Sequence, residues 1–230
     1  MSGVSTALKN HPGFARMIFS LKPFRKLDFS TANTDLATLD LTNTPVFSRY
    51  VFHDLLSNNA CIGIGGYREN RVIYQQRKHF VDDHNSPRCI HLGTDIWTDA
   101  GEPIYAPLSG VIHSFAFNNH YGDYGPAIIL RHELDQTEFF TLYGHLSLES
   151  LDGLYEGKEI NSGEKLGEIG NYPINGDWPP HLHFQIINDI GNFKGDFPGV
   201  SSLTDLDYYL SICPDPNLIL RISENELSKS

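Results

Sequence analysis

WPPHLHFQII, residues 178–187, places two histidines one residue apart within an otherwise apolar run. On a β-strand, side chains at i, i+2 and i+4 share one face. His181, His183 and Gln185 then point one way, while Leu182, Phe184 and Ile186 point into a core. The apolar residues back the histidines and do not surround them. A strand buried on one face needs partners, and the flanking text supplies them.

EPIYAPL, GVIHSFAF, AIILRHE, EFFTLYGHLS and KLGEIG are separated by clusters of Gly, Asn, Asp and Pro. Many short strands at this spacing predict a mainly β fold, a compact antiparallel sheet or barrel-like domain. CIGIGGY and RVIYQQ, joined by Arg68-Glu69-Asn70, read as a hairpin. The first sixty residues differ. Thr44-Pro45 reads as an N-cap followed by Pro at the first helical position, and Phe47, Tyr50, Val51 and Leu55 recur at helical spacing. These signals predict a helix over 45–58 and a second near 14–20. The chain then divides into a helical appendage, 1–60, and a β domain, 61–230, with its core at 88–187 and a wrapping tail from 188.

A length of 230 residues suits one substantial domain plus a small appendage, and 40% hydrophobic residues supply its core. A formal charge of −11 argues against nucleic acid as a partner and, less strongly, against docking on an anionic cell wall or membrane surface. No stretch reaches the length needed to cross a bilayer, and the first residues make a poor secretory signal. Cys61, Cys89 and Cys213 show no metal spacing and read as buried thiols in a reducing compartment. The expected address is cytoplasmic. The sequence leaves the oligomeric state open.

HLGTDIW, residues 91–97, repeats the alternation of the opening stretch. As one strand it presents His91, Gly93 and Asp95 together; a helix would also join His91 and Asp95, but Gly93 and Thr94 disfavour it. Gly93 leaves room for something to approach. TLYGHLS places Tyr143 and His145 on one face in the same way. Two histidines and one aspartate suit a single Zn²⁺ and leave its fourth position open, the catalytic arrangement. His91 and Asp95 supply two ligands, and one of His181 and His183 supplies the third.

HLGTD, then YGHLS, then HLH is similar to the pattern of the lysostaphin/LytM-type zinc metallopeptidases, whose marks are H-x-x-x-D, a lone His and H-x-H. The likeness covers roughly 88–187. It implies a metalloendopeptidase acting on peptides or peptidoglycan fragments, with His91, Asp95 and His183 as metal ligands and His145 and His181 as catalytic histidines. GGYRENRVIY, NNHYGDYGPAIIL, NGDWPPHLHFQ, GDFPGV and CPDPNLIL resemble the peptidase-like middle domain of proteins that fuse a kinase-like and an aminotransferase domain, here standing alone. Trp178-Pro179-Pro180 and Gln185 depart from the usual Thr-Gly-x before HLHFE, and no Tyr closely precedes His91. In the implied mechanism His181 acts as general base and His145 donates a hydrogen bond to the oxyanion or the water, roles that could be exchanged.

The rival to an enzyme is a non-catalytic zinc-containing binding module. A lipoyl- or biotin-type carrier lacks the required lysine at a hairpin tip. His11, His53, His79, His84 and His113 read as bystanders, His132 as a strand-end cap, and His120 and Tyr121 as a solvated loop with groove lining as the alternative. Residues 1–60 either pack against the β domain or at a dimer contact, or cover the groove as an inhibitory segment.

Overall fold

The computed structural model describes residues 3–77, 80–81 and 86–228; His79 and His84 lie outside them. Among the described residues thirteen strands run in chain order: β1 (Phe24–Leu27), β2 (Ile62–Gly65), β3 (Arg88–His91), β4 (Thr94–Trp97), β5 (Pro103–Tyr105), β6 (Gly110–Asn118), β7 (Gly125–Leu134), β8 (Thr137–Gly144), β9 (Glu159–Ile160), β10 (Lys165–Glu168), β11 (His181–Ile187), β12 (Val200–Ser202) and β13 (Leu227–Ser228). Nine of them form one sheet in the order β13-β1-β2-β4-β11-β8-β7-β6-β9. The fold is mainly β, as the sequence implies. Its sheet is open rather than closed into a barrel, and β1 lies parallel to both β2 and β13.

Alternation sorts the two faces. Ile62, Ile64, Ile96, Leu182, Phe184, Ile186, Tyr143, Ile128 and Leu130 belong to the main core. Each such side chain, fully buried, stabilises the fold by roughly 1.5–3 kcal/mol, which fixes the register of β11 firmly. The opposite face carries two smaller clusters, one around Trp97, Phe29 and Phe47, the other around Ile129, Leu142 and Phe140. Asp95, His181 and His183 lie on that face, between the two clusters.

Several elements differ from the sequence expectation. HLGTDIW is not one strand: it breaks at Leu92-Gly93, so that β3 pairs with β12 while β4 joins the main sheet. RVIYQQ is not a hairpin arm. Both edges of β2 are already taken, by β1 and β4, so 72–75 turns into a helical turn that buries Ile73 and Tyr74. No helix forms at 14–20, where the chain bonds along 105–107, with Ala15 N to Pro107 O and Tyr105 N to Met17 O. The first helix instead spans Gly3–Asn10 and ends before Pro12. The helix predicted at 45–58 appears as Thr44–Arg49, continued by a π-helical stretch, Tyr50–Leu55. Its N-cap is Asn43, whose side chain accepts from Val46 N, and Thr44 Oγ1 donates to Asp177 O instead.

Residues 1–60 thus contribute a strand to the main sheet as well as helices. The tail after 188 returns twice to the body, through β12 against β3 and β13 against β1. No helix among the described residues is long and apolar enough to cross a membrane.

Candidate metal centre

Register draws the site together. Gly65, Asp95, His183 and Gly144 stand in one row across β2, β4, β11 and β8. Trp97 and His181 pair in the next row, their rings stacked at 4.0 Å and 15°. His91 enters from β3, beside Val200 of β12. The break at Gly93 has a close-packing cause: a Cβ there would meet His183 Cε1 and Nε2 at 2.6 Å and Phe184 O at 2.8 Å. What approaches Gly93 is the His183 ring itself.

His91, Asp95 and His183 converge, all three buried. His91 Nε2 lies 3.0 Å from His183 Nδ1, and Asp95 Oδ1 lies 3.2 Å from each. The far nitrogens fix the tautomers. His91 Nδ1 faces Gly66 O at 3.0 Å, and a carbonyl only accepts, so that nitrogen carries the hydrogen. Gln185 donates through its amide nitrogen to Pro198 O, which turns its oxygen to His183 Nε2 at 2.9 Å and places the second ring hydrogen there. Three lone-pair-bearing atoms therefore face one another with no proton among them. Such a set repels itself and suits a cation. Tetrahedral zinc with bonds of about 2.0–2.1 Å needs donor separations of about 3.3–3.4 Å, within a few tenths of an ångström of the distances here. Both outer hydrogen bonds are of the kind that orient metal-bound imidazoles.

Electrostatics agree with this wiring. Burial, reinforced by the nearby Arg71 charge, pushes His91 down to about 3. Burial alone would raise Asp95, but neighbouring positive charge, the Arg71 guanidinium in contact with it above all, outweighs burial and holds the carboxyl well below its usual range. Arg71 Nη1 reaches Asp95 Oδ2 at 2.5 Å.

His181 and His145 stand beside this trio, ring centroids 4.3 Å apart. Each spends its Nδ1 hydrogen on a backbone carbonyl, His181 on Pro179 at 2.7 Å and His145 on Asn175 at 2.8 Å. Burial pushes His181 down to about 4, and burial with the neighbouring His181 and His183 pushes His145 well below its ordinary value. Both rings are neutral with an accepting Nε2. His145 has left the strand, with φ 63°, so it does not share a face with Tyr143, which packs on Phe184 in the main core.

His145, His181, His183 and Asp95 border a cleft of about 370 Å³ whose other walls include Tyr74, Phe80, Trp178 and Phe197, and His91 lies buried behind it. His120 and Tyr121 line its rim, so the solvated-loop expectation gives way to groove lining: Tyr121 OH donates to Thr42 O and its ring lies under Arg77. Among the described residues of 1–60, none lines the cleft; Leu27, Phe29, Phe47 and Val51 pack in one cluster with Trp97 and Trp178, while Val4, Leu8 and Met17 join the main core. His11, His53 and His113 stay outside it, and His132 is no strand-end cap but lies buried in the sheet. The sequence reading lacks Arg71 and Tyr124. Tyr124 sits over Gly144, with its hydroxyl 3.4 Å from His183 Nε2. Neither carries a sequence signal, because each is placed by the glycine it packs on.

Residues 89–194 match the profile of peptidase family M23. The chain carries an M23 peptidase domain. That domain contains His91, Asp95, His145, His181 and His183. An L-Ala--D-Glu endopeptidase of Bacillus subtilis is 28% identical over 133 residues, 55% of this chain and 39% of that protein. Peptidoglycan DD-endopeptidase ShyC of Vibrio cholerae is 29% identical over 98 residues, 42% of this chain and 20% of that protein. The match thus spans well under half of either relative. The solved catalytic domain of lysostaphin from Staphylococcus simulans aligns at 22% identity and TM-score 0.37, over 53% of this chain and 80% of that one.

Proposed function

We propose that the protein is a zinc-dependent metalloendopeptidase that hydrolyses peptide amide bonds, with peptidoglycan fragments or glycine-rich peptides as the substrate class. One observation carries the reading: two imidazole lone pairs and a carboxylate oxygen meet at 3.0–3.2 Å beside a cleft that Asp95 and His183 line together with two accepting histidines. The M23 match and the activities of the two relatives support peptides of cell-wall type. His91, Asp95 and His183 would hold one Zn²⁺. When bound, that ion acidifies water and polarises a substrate carbonyl.

His181 Nε2 lies 3.9 Å from Asp95 Oδ2, next to the ligand set, and accepts the proton of the attacking water before returning it to the leaving amine. Neutral His145 has no hydrogen on Nε2 to give to an oxyanion. Its first act is to accept a hydrogen bond, and it donates only after taking up a proton. A reducing compartment, the cytoplasm, fits three cysteines that are all buried and free; tagged protein found outside the cell would overturn that address.

The test is mass spectrometry of products from peptidoglycan fragments, glycine-rich peptides and other short peptides incubated with zinc-loaded protein. Cleavage at a defined amide is expected, with loss on chelation. His181→Ala should reduce turnover about 10²–10⁴-fold while zinc stays bound. Hydrolysis that survives in the His145→Ala/His181→Ala double variant would refute both roles, and a loaded protein that binds peptides without cutting them would be a binding module.

A further inference from the structure

The segment 66–74 lies outside the M23 match, yet it is built into the metal centre. It runs along β3, with Arg68 N to His91 O, His91 N to Glu69 O and Arg71 N to Cys89 O. From it Arg71 enters the interior, 1% exposed. Its Nη1 meets Asp95 Oδ2 at 2.5 Å and Tyr74 OH at 3.3 Å, and its Nε meets Glu69 Oε2 at 2.8 Å. Glu69 is itself fixed, its other oxygen accepting from Phe29 N at 2.9 Å. Room for the guanidinium comes from Gly65, opposite Asp95 in register, where a Cβ would lie 2.7 Å from Arg71 Nη2.

We propose that Arg71 is a positioning residue of the metal centre: by occupying Asp95 Oδ2 it commits Asp95 to a one-oxygen contact through Oδ1 and keeps the remaining coordination place for water and substrate. The proposal rests on the metal-centre reading above. A carboxylate with no outer partner offers both oxygens and rotates. A planar guanidinium held by Glu69 and Tyr74 removes that freedom, which an ammonium cannot do as a point charge.

Charge alone would make an arginine a poor neighbour for a cation. Glu69 answers that objection, because it neutralises the guanidinium from its other edge and leaves the negative charge of Asp95 facing the ligand set. What Arg71 adds to its charge is direction. Outer partners of metal ligands commonly matter in this way. One consequence is that residues 89–194 do not contain the whole centre.

The experiment uses the full chain. Zinc affinity is measured by competition with a chromophoric chelator, and the cobalt-substituted protein is read by its visible absorption, intense for four-coordinate Co²⁺ and weak at higher coordination. The Arg71→Met/Glu69→Gln variant removes both charges of the outer pair. It should bind zinc about 10–100-fold more weakly and lose intensity in the cobalt band. Arg71→Lys, which keeps charge without the fork, should lose the same intensity.

Unchanged affinity and an unchanged cobalt spectrum in a double variant that unfolds cooperatively would overturn the proposal. Should that variant fail to fold, Gly65→Ala pushes on Arg71 Nη2 with every polar group retained, and an unchanged cobalt spectrum there overturns it equally. Wild-type protein that takes up no zinc would remove the metal centre and the role of Arg71 together. Neither readout uses peptide turnover, so failure of the peptidase reading and failure of this one are told apart.

Discussion

The sheet buries histidines on both faces, and the two sets are wired differently. On the core face His132 gives its Nδ1 hydrogen to Ser109 O at 2.9 Å, and its Nε2 lies 2.7 Å from Thr141 Oγ1, which is 3.1 Å from Tyr143 OH. With Nδ1 protonated, Nε2 is an acceptor, and the Thr141 hydroxyl beside it is a donor. The accepting nitrogen of His132 faces a group that can donate, so nothing from outside is needed to satisfy it. On the other face, His91 Nε2, His183 Nδ1 and Asp95 Oδ1 confront one another as three acceptors. Burial of an imidazole therefore says little about its use. The direction of its protons separates a histidine that completes a core from one that waits for a cation.

The largest expected contrast comes from removing one histidine of each kind. His183→Ala should abolish tight zinc binding in equilibrium dialysis, since two ligands remain of three. His132→Ala should leave zinc uptake at the wild-type level and cost about 3 kcal/mol in chemical unfolding, because Thr141 and the Ser109 carbonyl lose a buried partner. Zinc loss in the His132 variant would break the distinction between the two faces.

How far the sequence foretold this depends on which interaction places each residue. Alternation alone was enough for β11, since Leu182, Phe184 and Ile186 define a buried face without reference to any partner. The same rule made one strand of HLGTDIW, yet His183 presses on Gly93 from a neighbouring strand and the chain breaks there. His91 and Asp95 still meet, because β3 and β4 flank that break. RVIYQQ has a pattern fit for a strand, but whether β2 had an edge to spare is a fact of the whole sheet. Arg71 was invisible for the same reason. Nothing in GGYRENRVIY tells that Asp95, 24 residues on, will lie under its guanidinium.

A smaller effect appears in acid. Burial pushes His132 down to about 4, whereas an unfolded histidine titrates near 6.5. Between those values the unfolded chain binds the extra proton, so stability rises with pH. The His132 contribution is complete above about pH 6.5 and is lost as pH falls towards 4, in all roughly 3 kcal/mol. His132→Gln has no proton to gain. Its urea midpoint should fall less than that of the wild-type protein between pH 7 and pH 5, with both held metal-free. Equal falls would mean that the site-face histidines alone produce the acid sensitivity.

The smallest effect sharpens the assignment of protons at His183. Gln185 accepts from His183 Nε2 with its oxygen and donates with its nitrogen to Pro198 O and to Cys213 Sγ at 3.3 Å. Gln185→Glu keeps the acceptor and charges it, which makes the imidazole a better donor of its Nδ1 lone pair. It also turns a second acceptor towards the Pro198 carbonyl. Zinc affinity should rise a few-fold while folding stability falls by about 1–2 kcal/mol, read by chelator competition and by urea unfolding of the metal-free protein. The opposite pattern, weaker zinc binding with stability intact, would mean that the Nε2 hydrogen is not there. His183 would then present the wrong nitrogen to the ligand set, and the contrast with His132 would lose its physical basis.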